Sequence, residues 1–159
     1  MKKAVFLDRD GVVNHDPGDY TTSLSEFVIL PDVIETLAKW SNDGYCIIVI
    51  TNQGGIAKER YTLEDFYEIN DYMREKFVDG GVNFVDTFFC PHHDAIGHCL
   101  CRKPNSGMVE KAIAMYNIDP EQSVMIGDKW RDLEAAEAAG VRGIKIDVNQ
   151  SLKTVSLTK

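Results

Sequence analysis

Two patterns of apolar residues alternate along the chain. Short runs of consecutive apolar, often β-branched residues are separated by stretches in which apolar residues recur every three or four positions. The first pattern is typical of strands buried on both faces, and the second of helices with one buried face. Their alternation predicts an α/β fold with a doubly wound parallel sheet, because crossover helices then cover both faces of the sheet. We expect strands at residues 4–7, 45–50, 82–89, 123–126 and 143–147, and helices at about 31–42, 62–79, 106–116 and 131–139.

Polar side chains follow three of these predicted strands. Asp8 comes directly after the first strand, Thr51 after the second, and Asp128 shortly after the fourth. In open parallel sheets, ligands bind just beyond the carboxyl ends of the strands. We therefore expect these three side chains to converge on one crevice.

The charge balance bears on possible partners. The formal net charge is −8, and an acidic surface repels polyanions, so we do not expect a nucleic acid partner. The chain has no apolar run long enough for a membrane span, and its first apolar run, 4–7, is too short for a signal peptide. We expect a cytoplasmic protein with one domain, residues 1–159, and no membrane partner. The sequence leaves the oligomeric state open, and a monomer is consistent with it.

Carboxylates at the first strand end indicate the chemistry. Asp8 and Asp10 lie one residue apart, and Asp128 is available from another strand. Because clustered carboxylates repel each other, a hard cation such as Mg²⁺ is their natural partner. A carboxylate can attack phosphorus to form an aspartyl phosphate, and a second carboxyl can protonate the leaving group and then activate water. By itself, Asp-x-Asp-Gly also occurs in surface turns.

Four segments in this order carry a family resemblance: Phe6–Gly11, Ile50–Ile56, Cys101–Pro104 and Ile126–Lys129. Together they resemble the haloacid dehalogenase (HAD) superfamily of phosphatases, over residues 5–132. The resemblance implies a Rossmann-like HAD fold. The short spans between the segments further predict that no large cap domain is present.

The resemblance also implies catalytic roles. Asp8 would be the nucleophile and a Mg²⁺ ligand. Asp10 would be the general acid and base and would offer its backbone carbonyl to Mg²⁺. Thr51 would hydrogen-bond the transferring phosphoryl group.

Three further residues would complete this site. Lys103 would neutralise the nucleophile and the phosphoryl oxygens. It would thereby supply the local positive charge that the acidic chain otherwise lacks. Asp128 would complete the protein ligands of Mg²⁺. Asp132 would support that site without touching the metal.

A cysteine- and histidine-rich loop, residues 90–101, predicts a second metal site. Three thiolates and one imidazole make a closed tetrahedral zinc set, and closed sets of this kind are structural. We expect Zn²⁺ to be held by Cys90, His92, Cys99 and Cys101. The resemblance favours His92 over His93 and His98, which stay open as alternatives.

The same loop resembles two groups within the superfamily. These are the heptose bisphosphate phosphatases and the histidinol-phosphate phosphatases, and both lack a large cap. Segments 53–57, 90–93, 103–108 and 127–129 resemble the heptose group, whereas the short loop resembles the histidinol group. The resemblance therefore implies removal of one phosphate from a small phosphorylated sugar, most closely the 7-phosphate of a heptose bisphosphate.

A bisphosphate requires a second anion site, for which Arg102 is the candidate because guanidinium binds phosphate oxygens in a bidentate manner. The substrate-binding residues expected in all are Asp16, Asp19, Tyr20, Asn52, Gln53, Gly54, Arg102 and Lys129.

Besides a histidinol-phosphate phosphatase, two rival functions remain open. One is a non-catalytic, zinc-organised interaction module on the same scaffold. The other is a polynucleotide 3′-phosphatase, against which the net charge of −8 argues.

Overall fold

The structure, a computed structural model, describes residues 1–159 and is built on one parallel sheet. Its strands are β1 (Lys3–Leu7), β2 (Tyr45–Asn52), β3 (Phe84–Cys90), β4 (Val124–Gly127) and β5 (Arg142–Lys145). All neighbours in the sheet are parallel, and their order is β3-β2-β1-β4-β5. This order confirms the predicted doubly wound α/β fold.

Four helices cover the sheet: α1 (Val33–Asn42), α2 (Leu63–Asp79), α3 (Gly107–Tyr116) and α4 (Trp130–Ala138). Two short 3₁₀ helices span Leu24–Glu26 and Leu152–Thr154. Helix α2 begins as predicted, because the Thr62 hydroxyl accepts the Asp65 N–H and the Asp65 carboxylate accepts the Thr62 N–H. None of the helices combines the length and apolar composition that crossing a bilayer requires.

Several predicted boundaries, including the end of β5 at Lys145 rather than residue 147, were off by one or two residues, and local structure explains two of them. Helix α1 begins at Val33 rather than near residue 31, because Asp32 has a φ of +68°, which a right-handed helix cannot include. Strand β3 begins at Phe84 rather than at residue 82, because the Val82 N–H donates to the Phe77 carbonyl at 2.9 Å and so completes the exit of α2.

The β2 strand is two residues longer than predicted, and this extension matters for the site. Thr51 pairs with Phe89 and Asn52 pairs with Cys90 in the parallel ladder with β3. Both polar residues are therefore held by the sheet itself and not by a mobile loop.

Alternation along the strands divides the core into two layers. Val5 and Leu7 pack with α1 and α2 in one apolar cluster, and Ala4 and Phe6 pack with α3 and α4 in the other. Fully burying a side chain such as leucine contributes about 2 kcal/mol, so both layers hold the sheet rigid under the site. The strand order reverses between β1 and β4, and a crevice opens at such a switch point beyond the carboxyl ends of the strands.

Candidate active site

A crevice of about 400 Å³ lies where the strand order reverses. Its lining is almost wholly polar and consists of Asp8, Asp10, Asp16, Gly18, Asp19, Tyr20, Asn52, Lys103, Asp128, Lys129 and Arg131. Such a lining suits a small charged, hydrophilic ligand. Gly18 and Arg131 were not selected from the sequence. Five residues that the sequence predicted for the site do not line the crevice: Thr51, Gln53, Gly54, Arg102 and Asp132.

Three carboxylates meet at the crevice, and two of them, Asp8 and Asp128, line it. Asp8, Asp128 and Asp132 each place a carboxylate oxygen within 4.8 Å of the other two. Neither oxygen of the buried Asp128 accepts a hydrogen bond, and the nearest cation is the Lys129 ammonium, 3.6 Å from Oδ2. A buried carboxylate without donors is costly, so the cluster requires a cation. Its all-oxygen donor set fits a hard ion such as Mg²⁺.

Gly11 makes the close approach of the chain to this cluster possible. Its φ is +88°, and a Cβ at this position would lie 2.6 Å from Oδ2 of Asp128. Any other residue would therefore be strained and would also displace Asp128.

Lys103 joins two of the three carboxylates. Its ammonium lies 3.0 Å from Oδ1 of Asp8 and 2.8 Å from Oδ1 of Asp132, and it donates to the Ile50 carbonyl at 2.7 Å. Burial alone lowers the pKa of Lys103, but the charges of Asp8 and Asp132 outweigh burial and raise that pKa above its ordinary value. Lys103 therefore remains a cation inside the protein.

At Asp8, burial and neighbouring negative charge outweigh the attraction of Lys103. Burial raises the pKa of its carboxyl well above the ordinary value, and the charge of Asp132 adds to this effect. Lys103 opposes both, but the direction stays upward. An ionised Asp8 therefore needs more positive charge than Lys103 supplies, which agrees with a cation at the carboxylate cluster.

Asn52 holds the backbone of Lys103 instead of facing a ligand with a free amide. Its Oδ1 accepts the Lys103 N–H at 3.0 Å, and its Nδ2 donates to the Lys103 carbonyl at 3.2 Å. Asn52 also lines the crevice, so its contact with substrate stays a prediction beside this positioning contact. A pattern of neighbouring residues could not reveal it, because the partners are 51 positions apart.

The Asp10 carboxylate stands outside the carboxylate cluster and is surrounded by donors. Arg9 donates to it from Nε at 3.1 Å and from NH2 at 3.0 Å, and Asn14 donates from Nδ2 at 3.0 Å. The Arg9 side chain is 1% exposed and its guanidinium lies over the rings of Phe27 and Phe66, at 5.7 and 5.8 Å. Arg9 was missed in the sequence, where an arginine beside a motif aspartate looks like a surface residue.

Gln53 and Gly54 are buried beside the crevice and are not exposed to a ligand in it. The Gln53 amide donates to Asp10 and Thr51. A Cβ at Gly54 would lie 2.8 Å from the His93 ring and 3.0 Å from NH1 of Arg102. Gly54 thus allows the cysteine–histidine loop to pack closely on the end of β2.

The outer lip of the crevice is the segment 16–20. Its first residue is held from the C-terminal region, since the Asp16 N–H donates to Oδ1 of Asn149 at 2.7 Å and Nδ2 of Asn149 donates to the Asp16 carbonyl at 3.0 Å. At the other end Arg60 lies 3.0 Å from the Asp19 carboxylate. The hydrogen bond from the Tyr20 N–H is the main cause that lowers the pKa of Asp19, and Arg60 lowers this pKa further. The predicted residues Asp16, Asp19 and Tyr20 therefore do face the crevice.

Two cations line the crevice near the start of α4. Lys129 precedes the helix and Arg131 lies in its first turn, where the helix dipole also favours an anion. Arg102 lies elsewhere: its NH1 donates to the His92 carbonyl at 3.1 Å, and its Nε lies 3.9 Å from Asp94. Arg131 therefore lines the crevice, whereas Arg102 does not.

The cysteine–histidine loop brings four ligand atoms together. Cys90, His92, Cys99 and Cys101 each place one within 4.8 Å of the other three, and Nδ1 of His92 lies 3.2 Å from Sγ of Cys101. His93 and His98 are not part of this cluster, and Cys46 is buried in the core. Burial raises the pKa of the Cys99 thiol, but the N–H groups of Arg102 and Cys101 outweigh burial and lower it to about 7. The set has the composition of a closed structural metal site.

Comparison with known proteins gives consistent matches. The family profile described as HAD-hydrolase-like matches residues 100–153. The chain is 44% identical over 151 residues to the D-glycero-beta-D-manno-heptose-1,7-bisphosphate 7-phosphatase of Vibrio cholerae, covering 91% of this chain and 80% of that protein. It is 40% identical over 145 residues to the D-glycero-alpha-D-manno-heptose-1,7-bisphosphate 7-phosphatase of Photorhabdus laumondii, covering 87% and 79%.

A solved structure agrees with these relatives. The crystal structure of D,D-heptose 1,7-bisphosphate phosphatase from B. bronchiseptica, complexed with magnesium and phosphate, matches with a TM-score of 0.84 and 32% identity. The match covers 96% of this chain and 84% of that one. Both the fold and the sequence therefore lead to the same family.

Proposed function

The chain belongs to the heptose-1,7-bisphosphate 7-phosphatase family of HAD-like hydrolases, and we propose that it removes the 7-phosphate of D-glycero-D-manno-heptose 1,7-bisphosphate. The observation that carries the proposal is the buried ion pair between Lys103 and Asp8, beside the Asp128 carboxylate that lacks donors. A paired carboxylate next to a cation site, open to a polar crevice, has the parts that phosphoryl transfer requires. The relatives that carry this activity in their names agree with it.

In the proposed reaction, a carboxylate oxygen of Asp8 attacks the phosphorus and the bond to the sugar oxygen breaks. Lys103 holds Asp8 in place and neutralises charge on the phosphoryl oxygens, and the Thr51 hydroxyl donates to one of them. Asp8, Asp128 and the Asp10 carbonyl would hold Mg²⁺, which when bound neutralises further charge on the phosphoryl group.

Proton transfer is assigned to Asp10. Its carboxyl gives a proton to the departing sugar oxygen. This proton is needed because a sugar alkoxide is a poor leaving group. The resulting carboxylate then takes a proton from the water that attacks the aspartyl phosphate, which releases phosphate and restores Asp8. One turnover consumes one water molecule and leaves Asp8 ionised and Asp10 protonated, as they began.

A direct comparison of substrates tests the function. Phosphate release is measured with Mg²⁺ on both anomers of the heptose bisphosphate, on histidinol phosphate and on fructose 1,6-bisphosphate. We expect kcat/KM for the better heptose anomer to exceed that for histidinol phosphate by on the order of 100-fold, because the polar crevice is built to bind hydroxyls and a second anion. Equal or better hydrolysis of histidinol phosphate would favour that alternative. No release from any substrate would favour the non-catalytic interaction module.

We assign the second phosphate of the substrate to Lys129 and Arg131. These are the cations that line the crevice besides Lys103, which is already paired with Asp8 and Asp132. Arg131 has no carboxylate within ion-pair distance, so its guanidinium is free to bind an anion. The segment 16–20 on the opposite lip would then contact the sugar hydroxyls.

Replacing Arg131 with glutamine is expected to raise the KM for heptose 1,7-bisphosphate by roughly tenfold or more, the value of one charged hydrogen bond. The KM for heptose 7-phosphate, which lacks the second phosphate, should stay near the wild-type value. Steady-state kinetics on both sugars measures the difference. Arg102→Gln is the matched comparison, and a larger effect from Arg102→Gln would return the second phosphate to Arg102.

The cysteine–histidine loop, we further propose, holds one structural Zn²⁺. Cys90 ends β3 and pairs with Asn52, while Cys101 precedes Arg102 and Lys103. A metal at this cluster would therefore brace both sides of the contact between Asn52 and Lys103. Such a site needs reduced thiols, and all cysteines are free, so we place the protein in the cytoplasm and treat residues 1–159 as one domain.

A further inference from the structure

A buried glutamine connects the two residues assigned to proton transfer and phosphoryl binding. Nε2 of Gln53 donates to Oδ2 of Asp10 at 3.1 Å and to Oγ1 of Thr51 at 2.8 Å. Gln53 is 2% exposed, so no solvent competes for these bonds. One amide group thus determines the distance between the Asp10 carboxyl and the Thr51 hydroxyl.

Tyr61 and Asp10 hold that amide from opposite ends. The Tyr61 hydroxyl donates to Oε1 of Gln53. If the amide were reversed, its oxygen would face the Asp10 carboxylate, and two acceptors would repel each other. Burial raises the pKa of Tyr61 above its ordinary value, so the hydroxyl keeps the proton that it donates.

Gly55 provides the space that Tyr61 needs. A Cβ at Gly55 would collide with Cε1 of Tyr61 and would lie 3.1 Å from Cδ1 of Tyr20. The Tyr61 ring can therefore reach Gln53 only because residue 55 has no side chain. Tyr61 itself is 6% exposed and does not line the crevice.

We propose that Tyr61 is a positioning residue that acts through Gln53 to hold Asp10 and Thr51 in the geometry required for phosphoryl transfer. The inference rests on the proposed function, because it depends on Asp10 as the acid. Without the Tyr61 hydroxyl, the Gln53 amide loses the hydrogen bond that anchors its oxygen, and its hold on Asp10 and Thr51 becomes looser. Misplacement of the Asp10 acid should lower kcat more than it changes KM. The loss should be largest for substrates whose leaving group needs a proton.

The test is Tyr61→Phe, which removes one hydroxyl and keeps the ring beneath Gly55. We expect kcat on heptose 1,7-bisphosphate to fall by on the order of tenfold with KM nearly unchanged. On p-nitrophenyl phosphate, kcat/KM should fall much less, because nitrophenolate leaves without a proton. Tyr116→Phe is the matched control: its hydroxyl donates to Asp86, away from the crevice, and it should keep wild-type kinetics.

A double-variant cycle with Gln53→Met tests the route of the effect. If Tyr61 acts through Gln53, Tyr61→Phe should cause no further loss of kcat in the Gln53→Met background. Wild-type kinetics for Tyr61→Phe, equal losses on both substrates, or additive losses in the double variant would each overturn the inference. A wild-type protein that releases no phosphate from any substrate would instead overturn the proposed function, so the two failures are distinguishable.

Discussion

Asp8→Asn is expected to lower kcat for phosphate release by about 10³-fold or more, since the nucleophile is lost and the remaining groups act only as a unit. The neutral amide cannot attack phosphorus and cannot form the acyl phosphate. The fold should persist, because Lys103 keeps its ion pair with Asp132 at 2.8 Å and its hydrogen bond to the Ile50 carbonyl. Phosphate release under saturating substrate measures the loss, and circular dichroism verifies the fold.

Asp71→Asn is the matched control for this experiment. It makes the same chemical change on the exposed face of α2, outside the crevice, and should leave kcat unchanged. If Asp8→Asn turned over heptose bisphosphate at the wild-type rate, Asp8 would not be the nucleophile. If the variant were unfolded, calorimetric titration with phosphate and Mg²⁺ on the wild-type protein would still report whether the site binds both.

Cys90→Ala is expected to reduce bound zinc from about one equivalent per chain to nearly none, because a closed tetrahedral site that loses one thiolate binds zinc far more weakly. The free energy of unfolding should fall by about 3 kcal/mol or more, since the loop then loses its metal link to β3. Activity should fall as well, because Cys90 pairs with Asn52, which holds Lys103. Elemental analysis of protein purified without chelators, denaturant unfolding and phosphate release measure the three effects.

Cys46→Ala is the control that separates zinc from packing. Both sulfurs belong to buried strand residues, Cys90 at 0% and Cys46 at 3% exposure, and both changes delete the same atom. Only Cys90 lies in the four-residue cluster. Equal zinc content in the two variants, or no zinc in the wild-type protein, would contradict a structural zinc site.

Much of the site was predictable because it depends on the order of strands along the chain. Asp8 and Asp128 follow short apolar runs that are typical of buried strands. Parallel strands place their carboxyl ends at one edge of the sheet, so the two residues were expected to lie close together. The cysteine spacing was predictable for a similar reason, since its ligands lie within one short loop. The four residues expected at this loop are the four that the structure brings together.

The roles of three polar residues were harder to predict. Asn52, Gln53 and Arg102 were all expected to contact substrate, and the structure shows that each of them also holds a protein partner. A polar residue next to a motif is equally consistent with binding a ligand and with holding a neighbour. Only the position of distant segments, such as Lys103 beside Asn52, decides between the two.

Other contributors left no local signal in the sequence. Arg9 is buried because Phe27 and Phe66 come from two separate elements to cover it. Asn149 comes from a C-terminal stretch without apolar periodicity, yet it holds Asp16 through two hydrogen bonds. Such contacts depend on side chains that are far apart in the chain, so no window of residues contains both partners.

The sequence by itself determined the fold class, the strand-end aspartates and the composition of the cysteine–histidine cluster. These follow from periodicity and short-range spacing, which the covalent chain carries directly. The tertiary structure alone decided which cation faces the crevice, that Lys103 is held between Asp8 and Asp132, and that Gln53 connects Asp10 to Thr51. The physical reason is that charge pairing and hydrogen bonding act over a few ångströms in space, whatever the separation in sequence.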